Sequence, residues 1–126
     1  MQRTLIGLTA ALLSLALNTT ASAATTGTAP GLEIYIGGIG PGVDAAAFRK
    51  VKLALSTAVY NSTIDYFHVD GYGKEGGFSA CIEQGRFAAE GSFDKLIKSL
   101  KAIKPNPATT AYNLNPVAHC SYPVAP

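Results

Sequence analysis

The stretch from Leu32 to Asp44 places an alternating apolar run directly before a cluster of glycines and a helix start. Leu32, Ile34 and Ile36 lie on one side of an extended chain, which is the period of a strand whose sheet is covered on one face. The glycines that follow allow backbone angles that other residues avoid, and Asp44 is placed to cap a helix. A strand, a tight turn and a helix are therefore predicted in direct succession.

The first 23 residues have the layout of a cleavable secretory signal. Arg3 supplies an early positive charge, the apolar centre is too short to span a bilayer, and Ala21-Ser22-Ala23 has the small residues of a cleavage site. We expect secretion or a periplasmic location, with no transmembrane segment left after cleavage. The predicted organisation is a signal peptide at 1–23, a flexible lead at 24–31 and a single α+β domain at 32–126.

Two cysteines, Cys81 and Cys120, lie in the part that would be exported. An even count outside the cytosol favours a disulfide over a metal site or a reactive thiol. Closing a loop of this length would stabilise the fold by roughly 4 kcal/mol on the chain-entropy model.

The charge is nearly balanced, with ten Lys and Arg against eight Asp and Glu, and Arg3 would leave with the signal. A general electrostatic attraction to nucleic acid is therefore not expected. The expected partner is another exported protein or a component of the cell envelope.

The apolar spacing and the turn residues predict an order of strand, helix, strand, strand, helix and strand. Ser92 is the predicted cap of the second helix. This order predicts a ferredoxin-like split βαβ sandwich, with both helices on one face of an antiparallel sheet of order 4-1-3-2. The predicted segments are a strand from 32, a helix containing 48–59, strands at 64–70 and 78–83, a helix containing 93–103 and a strand at 109–114.

The predicted sheet order constrains the path of the disulfide. Strands three and four are separated by strand one, a distance of about 10 Å, which a disulfide does not span. Cys120 is therefore expected beyond the last strand, after Pro116, with the tail folding back over the sheet to reach Cys81. A last strand continuous through Cys120 would contradict the order.

The sheet face away from the helices carries most of the candidate functional side chains. If Phe67 and Val69 point to the core, strand two displays Tyr66, His68 and Asp70 on this open face. The central strands add five further side chains to it: Glu33, Tyr35, Ser79, Cys81 and Glu83. His68 with Asp70 or Glu83 is a candidate acid–base pair, although no nucleophile in a recognisable setting accompanies it.

Several other patterns have simpler structural interpretations. The glycine turn lacks the dinucleotide and P-loop spacings and is predicted to be structural. His68, Asp70 and His119 match no established metal-ligand spacing, so no metal and no cofactor are expected. Lysines recur at every third position of the second helix and the residues after it, which is typical of a solvated face but also allows an anionic contact. These lysines are Lys95, Lys98, Lys101 and Lys104.

Three functional hypotheses follow. The first is a small exported binding or inhibitor-like domain without catalytic activity, which uses the open face and the glycine-rich hairpin 71–77. Its predicted contact residues are Tyr35, Tyr66, His68, Tyr72 and Lys74. The second is a small secreted enzyme that uses His68, and the third is a homodimer formed face to face through Tyr35 and Tyr66.

Overall fold

The structure is a computed structural model that describes residues 30–71 and 74–121. The predicted signal, most of the lead and Tyr72 lie outside the described residues. The elements follow the predicted order: β1 (Gly31–Gly38), α1 (Ala45–Tyr60), β2 (Ile64–Gly71), β3 (Gly77–Gln84), α2 (Ser92–Ala102) and β4 (Thr110–Val117). Neither of these two helices has the length and apolar character needed to span a bilayer.

The four strands form one antiparallel sheet of order β2-β3-β1-β4. This confirms the predicted ferredoxin-like arrangement, with β1 and β3 in the centre and β2 and β4 at the edges. Both central strands are largely buried, whereas β2 is mostly exposed.

The core lies between the helices and one face of the sheet, as predicted. Ile34 and Ile36 of β1 are fully buried and belong to the same cluster as Val51 and Leu55 of α1 and Leu100 of α2. Complete burial of each such side chain contributes about 1.5–3 kcal/mol. The apolar alternation of β1 and β3 therefore accounts for the helix-covered face.

The expectation that Phe67 and Val69 point into the core is only half right. Their partners in β3 are Ile82 and Ala80, so both lie on the helix side of the sheet. Each is nevertheless 42 % exposed. β2 is an edge strand, and the exposure of both side chains shows that the helix side of this strand is only partly covered.

The two helix starts differ from each other. Asp44 caps α1 as predicted, accepting hydrogen bonds from the amides of Ala46 and Ala47 at 3.0 Å. The prediction of Ser92 as the cap of α2 is wrong, because the cap position is occupied by Gly91 in the left-handed conformation. Ser92 is instead the first helical residue, and its buried hydroxyl has no hydrogen-bond partner in the described part of the chain.

The last strand continues further than predicted. Pro116 lies within β4, opposite Leu32 of β1. An edge strand tolerates proline, because one side of its backbone needs no partner. β4 nevertheless ends at Val117, before Cys120, so the sheet order and the disulfide are compatible as expected.

Candidate functional site

The register brings the predicted site residues together on the open face. Tyr66 lies opposite Glu83, and His68 lies opposite Cys81, which in turn faces Glu33 of β1. Two residues further along the strands, Asp70 lies opposite Ser79, which in turn faces Tyr35 of β1. These rows form a polar and aromatic surface across three strands.

The described part of the C-terminal tail, residues 118–121, closes the middle of this face. The Cys81–Cys120 disulfide is present, with its Cα atoms 5.8 Å apart. The Cys120 amide donates a hydrogen bond to Oε1 of Glu83 at 2.6 Å. Cys81 is therefore only 1 % exposed although it lies on the face without helices.

The carboxylates of the two central strands already have hydrogen-bond donors. Glu83 binds the tail amide, a contact that the sequence did not predict. Glu33 accepts a hydrogen bond from the side-chain amide of Asn115 at 2.9 Å, across to β4. Both carboxylates hold neighbouring segments in place, and this leaves Asp70 as the carboxylate beside His68.

His68 and Asp70 form a partly exposed pair. Nε2 of His68 lies 3.4 Å from Oδ2 of Asp70, and the two side chains are 28 % and 48 % exposed. Their separation by two residues places them on one face, as predicted. The Asp70 carboxylate could orient the imidazole of His68, whose Nε2 atom is buried although both side chains are partly exposed.

The outer edge of β2 combines apolar side chains with an open backbone. Phe67 and Val69 are exposed on the helix side and Tyr66 on the other. Within the described part of the chain, no strand pairs with this edge. Sequence reasoning missed Phe67 and Val69 as surface residues, because their period matches that of core residues.

Three amides in and beside the glycine turn donate hydrogen bonds within the fold. Gly38 donates to the Gly76 carbonyl and Val43 to the Glu75 carbonyl, so the turn is tied to the start of β3. The amide of Ile39 donates to the Thr109 carbonyl in the segment before β4. These bonds favour the structural interpretation of the turn over a phosphate site.

The remaining candidates are exposed and dispersed. Lys74 lies in the exposed turn before β3, and His119 lies in the exposed tail beside the disulfide. Lys95, Lys98 and Lys101 are exposed on α2, with Lys104 in the segment that follows. Among residues 30–71 and 74–121, no group of three or more His, Cys, Asp or Glu side chains is arranged to hold a metal ion.

The sheet and the disulfide define a small α+β domain with one internal cross-link. No protein-family model and no curated protein matches the chain. Among solved structures, it is similar to the C-terminal domain of the MgtC protein from Mycobacterium tuberculosis, with 12 % identity and a TM-score of 0.43 over 77 % of this chain and 96 % of that one. This likeness carries no argument about function.

Proposed function

We propose that the chain is a small exported protein-binding domain without catalytic activity, whose main contact surface is the outer edge of β2. The observation that carries the proposal is the exposure of apolar and aromatic side chains on both faces of this edge strand. Tyr66, Phe67 and Val69 are 36 %, 42 % and 42 % exposed. The proposed occupant is an extended segment of another exported protein, added to the sheet as a further strand.

The contrast between the two sheet edges supports this assignment. β4 carries Pro116, together with the polar Asn113 and Asn115, features that discourage pairing with another chain. The register shift of β2 lies at its beginning, between Ile64 and Tyr66, and its carboxylates are Asp65 and Asp70. Between these, the stretch 66–69 contains no Pro, bulge, Asp, Glu, Lys or Arg. An edge without such residues offers a template for strand addition, because its outward N–H and C=O groups recognise any extended backbone.

A groove at the beginning of β2 extends this surface. It has a volume of about 340 Å³ and is lined by Val59, Ile64 and Phe87, with Asp65 and Arg86 at its polar side. Phe87 is 85 % exposed. A strand on the β2 edge would bring a side chain near this groove, which could supply sequence preference in addition to backbone pairing.

The disulfide supports the expected compartment. Structural disulfides persist outside the reducing cytosol, in the periplasm or the extracellular medium. The proposed partner is therefore another protein or an envelope component of the same compartment.

The first test is capture of partners by the full chain, produced by export in a host that oxidises its cysteines. Phe67→Lys/Val69→Lys places two charges on the edge, and Leu53→Lys makes the same kind of change on α1, at a residue that is 68 % exposed. We expect a specific protein to be captured by the wild type and by the Leu53 variant and lost with the double variant. Equal capture by all three proteins would contradict an edge site.

The hairpin is tested separately with Tyr72→Ala/Lys74→Ala. If this variant loses capture and the β2 edge variant does not, the contact surface lies on the hairpin and not on β2. Sedimentation of the wild type at several concentrations addresses the homodimer, because a face-to-face dimer would show a mass that rises with concentration. Tyr35→Ala would then reduce the dimer without changing capture at the edge.

A second candidate function rests on the contact between His68 and Asp70. A carboxylate 3.4 Å from the imidazole could orient it for acid–base chemistry. If the domain is an enzyme, a substrate screen should find turnover that His68→Ala abolishes while the fold is retained. Turnover that survives in His68→Ala would exclude this role.

A further inference from the structure

A groove lies at the opposite edge of the sheet, between the end of α2 and β4. Its volume is about 490 Å³, within the range of small-molecule sites. Tyr112 and Leu114 of β4 line one side, Ile103 and Pro105 line another, and Lys101 and Lys104 complete the lining near the end of α2. It is separate from the proposed protein-binding edge, because β2 and β4 are the two outer strands.

The apolar part of the groove is held in place by the core. Ile103, Tyr112 and Leu114 are half-buried and pack against the core cluster. The hydroxyl of Tyr112 donates a hydrogen bond to the carbonyl of Leu100 at 2.9 Å. Burial raises the pKa of Tyr112 to about 12, so the phenol stays neutral at physiological pH and adds no negative charge.

The charged part of the groove is entirely basic. Lys101 and Lys104 are its charged lining residues, and neither takes part in an ion pair with another described residue. Thr110, the remaining hydroxyl in the lining, already accepts a hydrogen bond from the Asp44 amide at 2.7 Å. An occupant would therefore meet two ammonium groups beside an apolar surface.

We propose that this groove binds a free single-chain carboxylate of the fatty-acid class. Its carboxylate would lie between Lys101 and Lys104, and its hydrocarbon chain would cover Ile103, Tyr112 and Leu114. The two charges of the site favour a monoanion over a neutral or cationic amphiphile, since among the described residues no carboxylate lines the groove to attract a cation.

The arrangement of the other lysines argues against a bilayer as the occupant. Residues three positions apart on an α-helix differ by about 60° in direction, so Lys95, Lys98 and Lys101 of α2 point progressively around the helix. Lys95 lines a different groove, between α1 and α2. A flat anionic membrane would require these charges in one plane, whereas a single small ligand needs only Lys101 and Lys104.

The test is a titration of the ¹⁵N-labelled, oxidised full chain with laurate below its critical micelle concentration, followed by amide shifts. We expect shifts at Ile103, Tyr112 and Leu114, and an affinity at least about tenfold lower for Lys101→Gln/Lys104→Gln, as expected for the loss of two charge-assisted contacts. Lys95→Gln/Lys98→Gln is the matched control and should bind as the wild type does. All four lysines are exposed, so both double variants should fold.

Two further arms identify the ligand class. Dodecyltrimethylammonium has the same tail with the opposite charge, and equal binding of it would overturn the role of the lysines. Phosphatidylglycerol vesicles present anionic headgroups on a surface. If the protein binds these vesicles but not laurate, its ligand is a membrane surface and not a free fatty acid. If millimolar laurate changes no amide shift of the groove residues, the proposal is also overturned. The proposed protein binding at the β2 edge would not be affected by this result.

Discussion

Asp44 connects three parts of the chain through its side chain and its backbone amide. One carboxylate oxygen caps α1, and the other accepts a hydrogen bond from the Asn106 amide at 3.0 Å, in the segment before β4. Its own amide donates to Thr110. The hydrogen bonds from the amides of Ala47 and Asn106 stabilise the charged form and lower the pKa of this carboxyl below its ordinary value of 3.8.

This lowered pKa leads to a pH-dependent prediction. A depressed native pKa adds stability that is complete above the unfolded value and is lost as pH falls through the native value. Asp44→Ala should therefore unfold at lower urea concentration than the wild type at pH 7, and the difference should shrink below pH 3.8. Urea unfolding across this range is the measurement, with Asp94→Ala in the first turn of α2 as control. A difference that is constant with pH would contradict the assignment.

Gly77 is the glycine with the most restrictive surroundings. Its φ of +120° lies in a region that L side chains rarely adopt, and a Cβ there would collide with the Ile36 carbonyl oxygen of β1. Gly77→Ala should lower the free energy of unfolding by about 1–3 kcal/mol or more. Gly40→Ala is the matched control, because open space surrounds that position. Chemical denaturation of both variants tests this. Equal stability of the two variants would show that β1 and β3 can move apart at Gly77 without a loss in the free energy of unfolding.

At the scale of elements, the position of a strand in the sheet determines how well its burial can be predicted from its sequence. The alternation of β1 and β3 correctly predicts a covered face, because both strands are central and their apolar side chains meet the helices. The same alternation in β2 does not reveal that Phe67 and Val69 stay exposed. Exposure at an edge depends on how far the helices extend across the sheet, and local periodicity carries no information about that.

The candidate site shows the same division between local and long-range information. The common face of His68 and Asp70 follows from strand period, and the return of the tail to Cys81 follows from the sheet order. The hydrogen bond between Glu83 and the Cys120 amide could not be predicted, because it depends on the position of a segment that lies outside the sheet. The left-handed Gly91 before α2 is likewise set by the path of a loop.

The exposure of the β2 edge predicts that charges there are tolerated. Phe67→Lys/Val69→Lys should change the free energy of unfolding by less than about 1 kcal/mol in total, since surface substitutions are usually within ±0.5 kcal/mol each. Leu55→Ala, at a residue of α1 that is 1 % exposed, should cost about 2–5 kcal/mol. Denaturation of the three proteins measures this. A large loss from the edge variant would mean that β2 is covered in solution.

For the molecule as a whole, the disulfide joins the end of the chain to the centre of the sheet. Cys81 and Cys120 are 39 residues apart, and the loop between them contains α2 and β4. The cross-link therefore restricts about half of the domain in the unfolded state. It also holds the tail over the open face, where Glu83 binds it.

Cys81→Ser/Cys120→Ser should lower the free energy of unfolding by up to roughly 4 kcal/mol on the chain-entropy model. Glu83→Ala should cost about 1–2 kcal/mol in the oxidised protein, because the Cys120 amide loses a charged acceptor. In the background of the serine double variant the tail is free to leave the face, so the Glu83 substitution should have almost no effect. The difference between these two values, obtained from urea unfolding of all four proteins, measures the coupling between the disulfide and the tail contact. Equal costs in both backgrounds would show that Glu83 stabilises the sheet independently of the tail, and that the disulfide acts on the unfolded chain alone.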